Sequence, residues 1–269
     1  MARLPSLYIP HGGGPCFFLE PPPGRPDPWQ PMGDFLRGLA GEIGQLPRAV
    51  LVISGHWEEK VPTVTSGPAP ALIYDYYGFP PHTYQLRYPA PGDPALAEEI
   101  RGRLGQSGIA AGADAARGFD HGVFIPFLLI YPEADIPVVQ LSLDASLDPA
   151  AHLAIGRALE PLRDDGVLIV GSGLSFHNLR AFFGGDRRAS VEAAAFDTWL
   201  TEAVTAPDPA RRDAALAHWV LAPGARASHP REEHLLPLMV AAGAAGADPG
   251  QRNFHGMLFG TPISGYRFG

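Results

Sequence analysis

Three short runs of aliphatic residues constrain the architecture of this chain more than anything else in it: Ala49 to Ser54, Pro137 to Leu143 and Val167 to Val170. None is longer than seven residues, and Ala49 to Ser54 is continuous rather than alternating, which is the pattern of a strand covered on both faces. Ser6 to Pro10 is a fourth apolar run that empties into a triple glycine. Stretches with helical spacing lie between and after them. Asp34 to Leu46 places Phe35, Leu36, Leu39, Ile43 and Leu46 on one stripe, with Asp34 as N-cap. Pro94 to Leu104, Pro149 to Leu162, Ser190 to Val204 and Ala210 to Val220 read as helices, and Phe124 to Ile130 as the start of a buried one. Glu232 to Ala245 reads as a strong helix carrying His234 in its first turn, with Ser228 placed to cap it. Strand and helix in alternation predict an α/β single domain over residues 1–269, a mostly parallel central sheet flanked by helices.

The connections are rich in the 30 prolines and 32 glycines, so many are ordered loops. Pro21 to Pro31 is expected to be irregular, because proline removes donors and fixes φ. Gly67 to Pro94 is a long loop whose Tyr74, Tyr76, Tyr77, Phe79 and Tyr84 argue for a lid or pocket wall rather than disorder.

A net charge of −8 with no dense Lys/Arg cluster excludes a nucleic-acid partner and points to a small molecule. The lone Cys16 excludes a disulfide framework and a cysteine-rich zinc site, so a metal would be held by histidine and carboxylate. Met1 to Leu7 lacks the pattern of a secretory signal and no window has membrane-spanning character, so the expectation is a cytoplasmic protein that does not engage a membrane, monomer or homodimer.

In a sheet of this kind ligands bind outside the carboxyl ends of the strands. His11 and His56 stand there beside glycines, and His177 follows Gly171-Ser172-Gly173 after a short loop. His121, in Phe119-Asp120-His121-Gly122, and His234 occupy comparable short contexts. Any one histidine is more often an ordinary surface or core residue than a ligand, but the set reads as a metal or acid/base site assembled from remote segments. Spacing alone leaves both open. No zincin motif, dinucleotide fingerprint, phosphate loop or nucleophile elbow is present. His152, His218 and His255 read as structural or exposed, and Cys16 as inert packing rather than an activated thiol.

Set in order, several stretches resemble a known family: Leu7 to Pro15, Ile53 to Trp57, Tyr74 to Pro80, Tyr88 to Gly92, Gly118 to Gly122, Val138 to Ser142, Gly171 to Asn178, and His229 to Leu238 with Ala241-Ala242-Gly243. The chain resembles the type III (LigB-like) extradiol ring-cleavage dioxygenases, in the branch of 4,5-DOPA extradiol dioxygenase-like proteins. The resemblance implies a non-haem metal, Fe(II) in catalysis with Zn(II) as an occupant of purified or crystallised protein. By the same resemblance His11, His56 and His234 are metal ligands, His177 is a further ligand or the base, and His121 is a catalytic histidine for proton or oxygen chemistry. Other members complete the metal triad with a glutamate, so Glu232 and Glu233 compete with His234 for that role. The implied reaction opens a catechol, DOPA-like or a related phenolic, with O2 to a semialdehyde. Tyr74, Tyr77 and His229 are candidates for substrate contact, beside the plainer reading of packed loop residues. Two alternatives stand next to this one: a zinc-dependent hydrolase, and a non-catalytic binding protein on the same fold.

Overall fold

The computed structural model describes residues 2–21, 23–184 and 187–269. Its centre is one eight-stranded sheet. In chain order the strands are β1 (Ser6–Pro10), β2 (Ala49–Glu59), β3 (Thr63–Thr65), β4 (Gly112–Asp114), β5 (Val138–Asp144), β6 (Val167–Gly173), β7 (Gly250–Leu258) and β8 (Thr261–Phe268). The helices are α1 (Gln30–Ile43), α2 (Pro94–Gln106), α3 (His121–Ile130), α4 (Pro149–Leu159), α5 (Leu179–Gly184), α6 (Arg187–Val204), α7 (Pro209–Ala217), α8 (Ala225–Ser228) and α9 (Leu236–Ala245). The strand order is β4-β3-β5-β2-β6-β1-β8-β7. The central strands β5, β2, β6 and β1 run parallel. β8 joins β1 antiparallel and β7 closes that edge as a hairpin.

The aliphatic runs sit where their composition requires. Along β2, Leu51 and Ile53 face a core built with α2, α4 and α9, while Val50 and Val52 face a second core built with α1, α3 and the tyrosine-rich loop. A strand buried on both faces has no polar side to alternate with, which is why the pattern is unbroken. All of α9 is buried, so it carries no polar stripe either. No described helix is long and apolar enough to cross a membrane.

Several element boundaries differ from expectation. Helix α1 begins at Gln30, with Pro31 in its first turn, so Asp34 is not a cap and pairs instead with Arg37. Proline is tolerated in a first turn because the amide there has no intrahelical partner. Residues 229–235 are not helical: Ser228 ends the four-residue α8, and His234 sits in a turn before α9. Pro237 inside the first turn of α9 sets that later start. Gly171 to Gly173 continue strand β6 rather than forming a loop.

Candidate functional site

Five histidines from five segments line one cavity of about 420 Å³ at the carboxyl end of the central strands: His11, His56, His121, His177 and His234. His11 follows β1 directly, His56 lies within the extended end of β2, and His121 opens α3 behind its N-cap Asp120. His177 and His234 come from irregular segments, and glycines bring the second of these onto the sheet. A Cβ at Gly173 would collide with the His234 carbonyl oxygen, and one at Gly55 would sit 2.9 Å from the Glu233 carbonyl oxygen. That carbonyl of His234 accepts a bond of 2.7 Å from the Tyr8 hydroxyl and one of 3.2 Å from the Leu174 amide.

The Nε2 atoms of His11, His56 and His234 converge. His56 Nε2 lies 3.0 Å from His11 Nε2 and 3.2 Å from His234 Nε2. The Nδ1 side of two of these rings shows which nitrogen carries the proton. Pro126 lies inside α3 and has no amide hydrogen, so the Gly122 carbonyl four residues earlier lacks its helical donor. The Ser172 hydroxyl takes that place and gives its only proton to the Gly122 carbonyl. Ser172 Oγ must then accept from His11 Nδ1, 3.0 Å away, which leaves the His11 Nε2 lone pair directed at the centre.

On the opposite side Glu233 Oε1 lies 3.0 Å from His234 Nδ1 and 3.1 Å from His177 Nδ1. A carboxylate only accepts, so both rings carry their proton on Nδ1 and present Nε2 as a lone pair. Burial alone would raise the Glu233 carboxyl, but the bonds from His177 and His234 outweigh it and hold the group well below the usual carboxylate range. Arg231, 3.5 Å from Glu233 Oε2, is itself paired with Glu58. The rings of His177 and His234 stack 3.4 Å apart. Glu233 therefore stands behind His234 rather than beside the Nε2 cluster.

Burial, reinforced by the neighbouring imidazoles, drives the His11 and His56 pKa values well below the ordinary range. The same burial brings His234 down to about 4, although the Glu233 bond opposes it. Neutral imidazoles with oriented lone pairs are the donors a divalent transition metal takes, and the groupings able to hold an ion include His11, His56 and His234. The donor set fits such a metal. Two other groupings, His56 with Asp75 and His121, and His177 with Glu233 and His234, each surround a carboxylate already committed to imidazole hydrogen bonds.

Asp75 was not singled out in the sequence, yet it does for His121 what Glu233 does for His177. Its Oδ1 accepts from His121 Nδ1 at 2.8 Å and from the His121 amide at 2.9 Å. Burial would raise the Asp75 carboxyl, but the His121 bond wins and lowers it. Its place between two tyrosines in the loop was the available signal. The substrate-contact expectations land elsewhere. Tyr74 gives its hydroxyl to the Leu86 carbonyl, Tyr77 is 91% exposed, and His229 is fully buried against Phe196 and Trp219; none of the three lines the cavity. From the tyrosine loop it is Phe79 that does, joined by Trp29, Phe182 and Phe259 from other segments. Cys16 also lines the cavity, but burial raises its thiol, in keeping with packing.

Comparison with known proteins gives a concordant picture. A family model described as the catalytic LigB subunit of aromatic ring-opening dioxygenase matches residues 5–269. A 4,5-DOPA dioxygenase extradiol from Beta vulgaris is 40% identical over 90% of this chain and 91% of its own length. The protein of that name from Escherichia coli (strain K12) is 36% identical over 90% of this chain and 85% of its own. Dioxygenase tasH from Hapsidospora irregularis is 39% identical, covering 100% of this chain and 86% of its own. The crystal structure of an uncharacterized protein from Escherichia coli K12 superposes with a TM-score of 0.78 at 30% identity, over 99% of this chain and 100% of that one.

Proposed function

This chain belongs to the LigB family of aromatic ring-opening dioxygenases, and from that premise we propose that it is an extradiol dioxygenase opening a catechol with O2 to a semialdehyde. Residues 1–269 act as one catalytic domain in this reading. The observation that carries it is the convergence of three Nε2 atoms on the floor of a cavity whose other two histidines also have carboxylate partners. His11, His56 and His234 are the metal ligands. Fe(II) held by these three imidazoles supplies the Lewis acidity and electron transfer that ring opening by O2 needs, whereas Zn(II) suits the same donors without the redox step.

The remaining chemistry belongs to the side chains. His177 donates a hydrogen bond from Nδ1 to Glu233, so its Nε2 is the base that takes a proton from a catechol hydroxyl, and Glu233 stabilises the imidazolium formed. His121, backed by Asp75 in the same manner, holds and returns a proton at Nε2 while the ring C–C bond next to the diol is broken. Both oxygen atoms of O2 enter the product, so no other reductant is consumed. Apolar walls keep bulk water from the reacting ring.

The test is anaerobic. Metal-free protein is loaded with Fe(II), mixed with catechol, caffeate or L-DOPA, and exposed to O2 while the yellow semialdehyde is followed by absorbance. Oxygen uptake with colour supports the reading. No uptake across the panel overturns it.

A further inference from the structure

The hairpin joining β7 to β8 turns through two residues, Phe259 and Gly260, both with positive φ, 50° and 82°. Such a turn matches the twist of the strands, and its first position ordinarily carries asparagine, aspartate or glycine. Phenylalanine is a costly occupant of the left-handed region, and a strained residue beside a cavity points to a use. Its ring is held edge-on by Trp29 at 5.7 Å and by Phe182 at 6.2 Å between centroids. All three line the same cavity as the histidines. Leu174, Leu258 and Phe79 continue the wall, and among the described residues no lysine, arginine, aspartate or glutamate lines it.

Resting on the ring-opening reading above, we propose that this cavity selects catechols bearing an uncharged, apolar arm, aryl or branched alkyl, and that Phe259 with Trp29 forms the rim that grips it. The imidazoles cluster with one another and Trp29, Phe182 and Phe259 with one another, so a diol held at the histidines leaves its substituent to the aromatic wall. A volume of about 420 Å³ exceeds what a bare six-membered ring fills. An apolar arm gains its burial against those rings. Among the described lining residues the ammonium and carboxylate of an amino-acid catechol find no oppositely charged side chain, so they either lose hydration or stay in solvent.

Binding is read first, by calorimetry on zinc-loaded protein without turnover, using 4-phenylcatechol, 4-tert-butylcatechol, catechol, L-DOPA and protocatechuate. The expected result is at least tenfold tighter binding of the two apolar catechols than of L-DOPA or protocatechuate. The same order is expected in kcat/KM with Fe(II) and O2. Phe259→Asn suits the turn and keeps the hairpin; it is expected to cut the preference for 4-phenylcatechol over catechol about tenfold. Equal or tighter binding of L-DOPA or protocatechuate overturns the apolar specificity while leaving ring opening intact. An unchanged preference in Phe259→Asn overturns the role of the rim. Apolar catechols that bind in the expected order without being opened overturn the dioxygenase reading and leave the selectivity of the cavity standing.

Discussion

Pro126 has no amide hydrogen to give the Gly122 carbonyl, and through Ser172 that omission orients His11. Pro126→Ala restores the amide, which competes with Ser172 for the same carbonyl. Two effects of opposite sign are expected: metal-free protein melting higher, by about 1 kcal/mol or more, since proline costs about 3 kcal/mol inside a helix, and metal affinity falling about tenfold, the lower end for an outer hydrogen-bond partner of a ligand. Thermal melts and competitive metal titration check both, and an unchanged affinity would show that Ser172 does not set the His11 tautomer. His177 and His234 share Glu233 but differ in position, so His177→Ala is expected to abolish turnover while keeping most of the metal. His11→Ala and His56→Ala are expected to lose both by elemental analysis. Equal metal loss in all three would make His177 a ligand. These residues were legible in the sequence as histidines in loop contexts. Their partners were less so: Asp75 and Ser172 are polar residues of ordinary type whose significance lies in long-range contacts, and Glu233 was named only as a rival metal ligand, not as the acceptor behind His234 and His177.

Strand β6 and the turn that bears His234 meet backbone to backbone, so Gly173 is where the element geometry is most exposed to test. Gly173→Ala is expected to cost about 1 to 3 kcal/mol, the range for forcing extra atoms into a packed site, and to lower metal content by displacing that turn. Denaturant unfolding and metal analysis read these separately, and a variant of normal stability and metal content would remove Gly173 from the account. At this scale the aliphatic runs made β2, β5 and β6 legible, since two-sided burial leaves a compositional mark. The β7–β8 hairpin was not foreseen. Its turn is Phe259-Gly260 in place of the usual polar pair, and β7 alternates buried and exposed residues only irregularly, with a register shift between Arg252 and Phe254. The tyrosine-rich loop, expected to be a lid or pocket wall, contributes only Phe79 of its aromatics to the cavity; the Tyr74 and Tyr76 hydroxyls satisfy backbone carbonyls within the loop, and Asp75 reaches the site through His121.

Across the whole molecule, buried neutral histidines couple folding to pH. His11, His56, His152, His229 and His234 all have pKa values lowered by burial, His234 to about 4 and His229 to about 3. The unfolded chain binds protons at these groups below about pH 6.5 while the folded chain does not. Stability is therefore fully present above that value and lost as pH falls toward the folded pKa values, by about 1.4 kcal/mol per pH unit for each such group. Thermal midpoints of metal-free protein are expected to drop steeply from pH 6.5 to pH 4.5, and a flat profile would contradict neutral burial. The strand order carries a different consequence. β1, which delivers His11, lies between β6 and β8, so neither of its hydrogen-bonding edges can be filled until residues 167–173 and 261–268 have been made. His234 also arrives late. A ribosome releasing this chain in order thus holds a sheet with an open seam for most of synthesis, and the three imidazoles proposed as ligands come together only after most of the polypeptide has emerged. On the proposed reading the metal is acquired by a chain already closing on itself, not by a growing one.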